Sequence, residues 1–201
     1  MKRTSNLFLI LMISSVSIAH AEETAVSIPE KVKAELKEAD TNFTFKSRPI
    51  NPLGIHLMQP WISDKQPPVS SIYIEGTDWD TNQFYATYKS AKDAMVCVQE
   101  KSGSFCYKRL GMLKNGFHVL ETFQNDEGSG TWTDLLLVQF SVEPSYREDG
   151  SVEYDLALQR RGDVILGDRF NGDVVIQPDQ IVIKNDGQLG RDTKEKTIHF
   201  K

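Results

Sequence analysis

The sequence predicts a mainly β protein: a single antiparallel β-sandwich or barrel-like domain with one short N-terminal helix. Short runs of alternating apolar residues recur after Ser70, and this period of two is typical of half-buried strands. Turn-forming pairs such as Asn115-Gly116 and Asp149-Gly150 separate these runs at close intervals, as in sandwiches and barrels. No internal repeat or break in composition indicates a second domain. Strand order and the choice between sandwich and barrel stay open.

The N-terminus has the features of a cleaved export signal. A cationic start, MKR, precedes an apolar run from Leu7 to Ile18, and Ala19-His20-Ala21 supplies the small residues that signal peptidase recognises. The run is shorter than the roughly 20 residues of a membrane-spanning helix, and no later segment supplies a span. We therefore expect residues 1–21 to be removed, residues 22–201 to form one β-rich domain, and the protein to be periplasmic, with an extracellular location also open.

The net charge of the chain limits the classes of partner that we expect it to bind. There are 23 Lys and Arg against 28 Asp and Glu, and loss of Lys2 and Arg3 with the signal leaves 21 against 28, a net charge of −7. Nucleic-acid binding needs clustered Lys and Arg that release counterions from phosphates, and docking on an anionic membrane also needs basic clusters. The charge permits a basic periplasmic or envelope protein as partner. The oligomeric state cannot be read from the sequence.

A helix and a proline-rich segment are expected before the strands. Ser27-Ile28-Pro29-Glu30 has the pattern of a capping box with an early proline, and apolar residues from Val32 to Ala39 recur at helical spacing, which predicts a helix over 29–40. Residues 47–70 contain five prolines, which deny a sheet its backbone donors. Because this segment is also rich in apolar residues, we expect an ordered wrap rather than a free linker.

Residues 71–185 are predicted to form strands, and residues 186–201 a polar tail. Lys114-Asn115-Gly116-Phe117 predicts a type I′ hairpin, and the succession of hairpins predicts a meander from about Met95 to Val142. The apolar run DLLLVQFSVEP predicts a buried strand with one face formed by Leu136, Val138, Phe140 and Val142.

The two cysteines are predicted to form a disulfide across a hairpin. If Glu100-Lys101-Ser102-Gly103 forms the loop, with Gly103 at a positive φ, Cys97 lies directly opposite Cys106. Directly opposed residues bring their Cβ atoms to the separation that a disulfide needs, and an exported protein meets oxidising conditions. The same register places Val96, Val98, Phe105 and Tyr107 on one face. The short loop implies a stabilisation of roughly 2–3 kcal/mol.

No motif predicts catalytic residues, a cofactor or a metal centre. The chain has no G-x-S-x-G elbow and no HExxH pattern. His118 follows an Asn-Gly turn within a strand, where we expect a solvent-facing side chain. Arg161-Gly162-Asp163 is interpreted as a turn between two strands.

Two segments are candidate binding sites. Asp78, Trp79 and Asp80 offer carboxylate oxygens for a hard cation, and a tryptophan for a sugar, although no EF-hand sequence surrounds them. The stretch QNDEGSGTW, residues 124–132, joins two predicted strands. It is either a hairpin loop with solvated polar side chains or a loop that recognises cationic side chains of a partner. The candidate residues of such a recognition loop are Asp126, Glu127, Ser129 and Trp132.

Residues 105–140, FCYKRLGMLKNGFHVLETFQNDEGSGTWTDLLLVQF, with PINPLGIHLMQPWISDKQPP upstream, are similar to an uncharacterised family of exported Gram-negative periplasmic proteins. The resemblance implies export and carries no assigned activity. A more superficial likeness links SGSFCY, residues 102–107, to the Ser-Gly-x-x-Tyr loops of periplasmic lysozyme inhibitors, from which it departs because Cys106 lies inside the motif. Those inhibitors are small, exported and β-rich, and they insert a loop into the enzyme.

The sequence therefore favours a non-enzymatic periplasmic binding or inhibitor-type protein that recognises a protein partner through loops. Two alternatives stay open. One is a hydrolase of cell-wall glycan or peptide, for which the acidic residues supply candidate carboxylates without selecting a pair. The other is a carbohydrate- or ion-binding module built on Asp78, Trp79 and Asp80.

Overall fold

The computed structural model describes residues 27–60, 68–74, 84–87, 95–100, 103–126, 128–184 and 195–200. The predicted signal peptide and the Asp78-Trp79-Asp80 segment lie outside these residues. The elements, in chain order, are α1 (Glu30–Asn42), β1 (Thr44–Phe45), β2 (Arg48–Pro49), α2 (Pro52–Leu57), β3 (Ser71–Tyr73), β4 (Phe84–Thr87), β5 (Met95–Glu100), β6 (Gly103–Met112), β7 (His118–Asn125), β8 (Trp132–Tyr146), β9 (Val152–Asp168), β10 (Asp173–Gln177), β11 (Gln180–Lys184) and β12 (Lys196–His199).

The main sheet has seven strands in the order β3-β9-β8-β7-β6-β5-β4, and a second sheet has three in the order β10-β11-β12. Every pairing within them is antiparallel, and the fold includes a curled half-barrel. The predicted mainly β, antiparallel fold class is confirmed. The predicted meander is confirmed as well, because β5 to β8 are neighbours both in the chain and in the sheet.

The main sheet buries apolar residues on both of its faces. On β8, Leu136 and Val138 belong to one hydrophobic cluster and Leu135 and Leu137 to the other, because successive side chains of a strand point to opposite faces. The first cluster packs under α1, α2 and the segment between them. The second packs against the three-stranded sheet. The face predicted for β8 lies in the first cluster, with Leu136, Val138 and Phe140 buried and Val142 partly buried.

Helix α1 begins one residue later and ends two residues later than the predicted 29–40. The expected capping box does not form, since no side chain caps the first turn. The helix ends where Phe43 adopts a left-handed conformation, with φ of 57°. This reversal lets the Phe43 ring pack against His118 and Phe140 in the first cluster, at centroid distances of 5.2 and 5.4 Å.

The proline-rich segment covers the same face of the sheet. It contains β2 and a second, unpredicted helix, α2, which has proline in its first turn and is capped by the side chain of Asn51. The hydroxyl of Tyr107 donates a 2.6 Å hydrogen bond to the backbone oxygen of Ile50, and Ile55 and Met58 are buried. Its described part is thus an ordered wrap that closes the first cluster.

The predicted turns occur with two differences. The backbone N–H of Gly116 donates to the oxygen of Leu113 at 3.0 Å, and only Gly116 in this turn has positive φ. This is the pattern of a type I turn followed by a left-handed glycine, not of the predicted type I′ turn, which needs positive φ at both central residues. The expected turn at Arg161-Gly162-Asp163 is wrong, because β9 runs through it. The pairing of β9 with β8 shifts by one residue at this point, as in a β-bulge, and the strand continues.

The predicted polar tail, 186–201, contains a strand. Within its described part, β12 pairs with β11, so that Ile181 lies opposite Ile198. Ile198 and Phe200 pack against the second cluster. The side chains of the last residues therefore complete the three-stranded sheet and its contact with the main sheet.

Candidate functional site

The cysteine hairpin has the predicted register. Cys97 lies opposite Cys106 and the two form a disulfide, with their Cα atoms 4.1 Å apart. Gly103 has a φ of 143°, and a side chain there would overlap the backbone oxygen of Asn125 on β7. Tyr107, which belongs to the motif that resembles the inhibitor loops, is 2% exposed. The described residues of that motif therefore belong to a strand of the main sheet and do not form an exposed loop.

The β7–β8 loop, which we define as residues 125–131, is held by contacts within the described residues. The guanidinium of Arg169 donates to the Ser129 hydroxyl at 3.0 Å, and the amide of Gln124 donates to the Asp126 carboxylate at 2.9 Å. Gly130 lies so close to the Asp168 carboxylate that a Cβ atom there would overlap it. The stretch is thus the predicted corner between two strands, and side-chain contacts hold its described residues on both sides of residue 127.

An apolar pair is exposed where this loop enters the sheet. Trp132 is the first residue of β8 and is 42% exposed, while Ile165 of β9 is 48% exposed. Asp134 lies opposite Ile165 and two residues after Trp132, so all three share one face of the sheet by strand alternation. We call this surface the Trp132 patch. It consists of Trp132, Ile165 and the carboxylates of Asp126, Asp134, Asp163 and Asp168. Two large apolar side chains on a rigid strand end are typical anchors of a protein interface.

Asp134 is the buried carboxylate of this patch. It is 4% exposed, and its Oδ1 atom has no hydrogen-bond partner. Burial, and next the charge of Asp163, raise the pKa of Asp134 to about 6, against a smaller lowering effect of the Leu166 backbone N–H. Leu166 can donate there because a register shift leaves it unpaired in the ladder. The Thr122 hydroxyl bonds the backbone oxygen of Asp134 at 3.2 Å, not its carboxylate.

The rim of the Trp132 patch carries more carboxylates than cations. Asp163 is paired with Arg160, and Asp168 lies 3.7 Å from Arg169. Asp126 is exposed in the loop. With Asp134, the described residues supply four carboxylates and two guanidinium groups, so the patch has an acidic excess.

Of the predicted partner-binding residues, Asp126 and Ser129 lie in the β7–β8 loop and Trp132 is the first residue of β8. Glu127 lies outside the described residues. The Ser129 hydroxyl is engaged by Arg169 and the Asp126 carboxylate by Gln124, whereas Trp132 is 42% exposed. The sequence analysis missed Ile165, Asp134, Asp163 and Asp168, which reach the patch only through the pairing of β8 with β9.

The expectation of a solvent-facing His118 is wrong. Its side chain is fully buried, its Nε2 atom lies 2.9 Å from Oδ1 of Asp40, and its Nδ1 atom has no partner. Position in the sheet overrides the local turn signal, because β7 has strands on both sides and α1 above it. A groove of about 660 Å³ opens beside Asp40, and its other lining residues include Lys114, Ile176 and Pro178. His118 is not among them.

The described residues contain no group of three or more His, Cys, Asp or Glu side chains that could hold a metal ion. In the same part of the chain, none of the helices has the length and apolar character needed to cross a bilayer. The segment Asp78-Trp79-Asp80, proposed for an ion or a sugar, lies outside it.

No family model matches the chain, and comparisons with curated proteins and with solved structures find no match. The resemblances stated from the sequence stay expectations, and the interpretation of function depends on the Trp132 patch.

Proposed function

We propose that this is a non-enzymatic periplasmic binding or inhibitor-type protein that recognises a basic protein partner through the Trp132 patch. The single observation that supports it most is the exposure of Trp132 beside Ile165 on two braced strand ends. Tryptophan anchors contribute strongly to protein interfaces when a partner pocket desolvates them. The intramolecular disulfide is compatible with the oxidising compartment that the export signal predicts.

The bracing of the β7–β8 loop supports recognition rather than a passive connection. A loop that is held before binding loses little conformational freedom when the complex forms. Arg169, Gln124 and Asp168 each fix one part of this loop. Asp126 therefore presents its carboxylate at a defined place beside the apolar pair.

Charge supports a basic partner. The patch has an acidic excess, and the mature chain is expected to carry a net charge of −7, from 21 basic against 28 acidic residues after loss of Lys2 and Arg3. Complementary charge accelerates encounter and disfavours partners of the same sign. A nucleic acid or an anionic membrane would be repelled by the same groups.

The test is an affinity purification from periplasmic extract with the wild type and with Trp132→Ala. Tyr146→Ala is the matched control, because Tyr146 is an aromatic residue at the opposite end of β8 and is 76% exposed. We expect one or more basic proteins to be recovered by the wild type and Tyr146→Ala but lost with Trp132→Ala. Equal recovery by all three proteins would remove the Trp132 patch from the function.

A cell-wall hydrolase is the second candidate. It is favoured by one observation: the pKa of Asp134 is raised to about 6 beside the carboxylate of Asp163, and general acids of glycosidases have pKa values raised by burial. A screen of peptidoglycan fragments with the wild type and Asp134→Asn tests it. Turnover that Asp134→Asn abolishes supports the enzyme, and absence of turnover above a heat-inactivated control counts against it.

The third candidate is a carbohydrate- or ion-binding module at Asp78, Trp79 and Asp80. Calorimetry with calcium and with glycans, for the wild type and an Asp78→Asn, Asp80→Asn variant, tests it directly.

A further inference from the structure

The Oδ1 atom of the buried Asp134 carboxylate has no hydrogen-bond partner, and this indicates what the Trp132 patch binds. Buried side-chain oxygens nearly always have a hydrogen-bond partner, so an exception calls for an explanation. Asp134 is 4% exposed, and its Oδ1 atom has none. A buried carboxylate without a cation is unfavourable for stability, which is the kind of cost that binding sites retain.

The charged groups around Asp134 leave this carboxylate without a cation among the described residues. From β9, Asp163 faces it and is itself paired with Arg160. From β6, Arg109 lies on the same face one row away, and its guanidinium donates to the backbone oxygen of Thr41 at 2.9 Å. From β7, the uncharged Thr122 lies opposite Asp134, and its hydroxyl bonds the backbone. Next to Thr122 on β6 is Tyr107, whose hydroxyl donates to the backbone oxygen of Ile50.

An aromatic face and further carboxylates lie next to this group. Trp132 precedes Asp134 by two residues on the same face, and Asp168 lies opposite Trp132. A guanidinium group is planar, stacks on an indole ring, and can pair with carboxylates in a fixed geometry. Its positive charge would also supply the cation that is missing beside Asp134.

We propose that Trp132, Asp134, Asp163 and Asp168 form a subsite for an arginine side chain of the protein partner, which stacks on the Trp132 ring and offsets the charge of Asp134. The inference rests on the proposed function, since it assigns the partner chemistry of the same patch. It explains why a buried carboxylate lies two residues along β8 from an exposed tryptophan. It also makes arginine, rather than an apolar residue alone, the central partner group.

The subsite makes binding depend on pH. Without the guanidinium, burial and Asp163 keep the pKa of Asp134 near 6. A bound guanidinium favours the ionised carboxylate and lowers this pKa. Binding therefore releases a proton when it occurs near pH 5.5, and affinity should increase as the pH rises from 5 to 7.5.

The experiment uses N-acetyl-arginine amide as the probe, with N-acetyl-citrulline amide as its neutral isostere. Each is titrated into the full-length mature protein while the indole N–H resonance of Trp132 is followed by NMR, assigned by its loss in Trp132→Phe. We expect the arginine probe to shift this resonance saturably and the citrulline probe to bind at least about fivefold more weakly, since one charge-assisted contact is lost. Affinity for arginine should rise with pH.

Asp134→Asn is the decisive variant. It keeps the shape of the side chain, and we expect it to fold because it removes a buried charge. It should bind the arginine probe at least about fivefold more weakly and without dependence on pH between 5 and 7.5. Equal response to arginine and citrulline, or an Asp134→Asn variant with the affinity and pH profile of the wild type, would overturn the proposal.

These outcomes separate the subsite from the proposed function. If Trp132→Ala loses the periplasmic partner while Asp134→Asn retains it at every pH, the patch binds its partner without this arginine subsite. If neither variant changes recovery and the arginine probe still binds with the expected pH profile, the subsite exists and serves a different ligand.

Discussion

Nε2 of His118 lies 2.9 Å from Oδ1 of Asp40, and this contact joins the middle of the main sheet to the last turn of α1. Because Asp40 accepts, Nε2 is the protonated nitrogen and the unpartnered Nδ1 atom is the one without a proton. The ring also packs against Phe43 and Phe140. Burial lowers the pKa of His118 below 6.5, opposed by the hydrogen bond to Asp40 and assisted by the charge of Arg109.

The burial of His118 predicts that acid destabilises the fold. The native state holds the neutral ring, so its stabilising contribution is complete above pH 6.5, the ordinary pKa, and decreases as the pH falls towards the lower pKa of the folded protein. We expect His118→Phe, which keeps an aromatic ring beside Phe43 and Phe140, to lose less stability than the wild type between pH 8 and pH 5. Urea unfolding at both pH values measures the difference.

His199→Gln is the control for this comparison, because His199 lies in β12 with an exposed side chain. Its free energy of unfolding should change with pH as in the wild type. The interpretation fails if His118→Phe retains the full acid-dependent loss.

Asp134 predicts a pH dependence of the opposite sign. Its pKa is raised from 3.8 to about 6 in the native state, so its ionisation destabilises the fold as the pH rises through 6, and the difference corresponds to about 2–3 kcal/mol. We expect Asp134→Asn to be more stable than the wild type by roughly this amount at pH 8 and to lose the advantage at pH 4. Thermal and urea unfolding at the two pH values measure it. A variant less stable than the wild type at pH 8 would contradict the assignment.

The disulfide predicts a modest loss of stability on reduction. The two cysteines are nine residues apart in sequence, and closing so short a loop removes little freedom from the unfolded chain, roughly 2–3 kcal/mol. Reductant should lower the midpoint of urea unfolding of the wild type. The double variant Cys97→Ser, Cys106→Ser should unfold at the lower midpoint and be insensitive to reductant. Unequal midpoints for the reduced wild type and the double variant would indicate an additional role of the sulfur atoms in packing.

Two glycines form a matched pair for substitution by alanine. At Gly172 a Cβ atom would overlap the backbone oxygen of Lys184 and crowd the Phe170 ring, whereas at Gly162 there is nothing within 4 Å. We expect Gly172→Ala to destabilise the protein by about 1–3 kcal/mol because the turn before β10 must shift. Gly162→Ala should be neutral or stabilising by up to about 1 kcal/mol, since alanine restricts the unfolded chain. Unfolding midpoints that rank the two variants in the reverse order would show that β9 needs glycine at 162.

The features that the sequence predicts correctly depend on local patterns. The register of the Cys97–Cys106 hairpin follows from one turn and the alternation of the residues beside it. The buried face of β8 likewise follows from alternation within a single strand. Such patterns are complete within a few residues, so a sequence reports them directly.

The features that the sequence misses depend on distant segments. His118 is buried because α1 folds over its strand, which no residue near His118 indicates. The Trp132 patch forms because register shifts in the β8–β9 ladder bring Ile165 opposite Asp134. The place of a bulge depends on the pairing of whole strands, so Trp132 was recognisable from the sequence while its neighbours were not.

The two long strands β8 and β9 contribute alternate residues to both hydrophobic clusters. The helices and the small three-stranded sheet pack on opposite faces of these strands. Detachment of either layer would expose apolar residues of the strands that support the other. The two layers should therefore melt together, in one step. A partner that binds the Trp132 patch, at one end of these strands, would raise the melting temperature of the whole molecule. Thermal shift is therefore a simple first screen for such a partner.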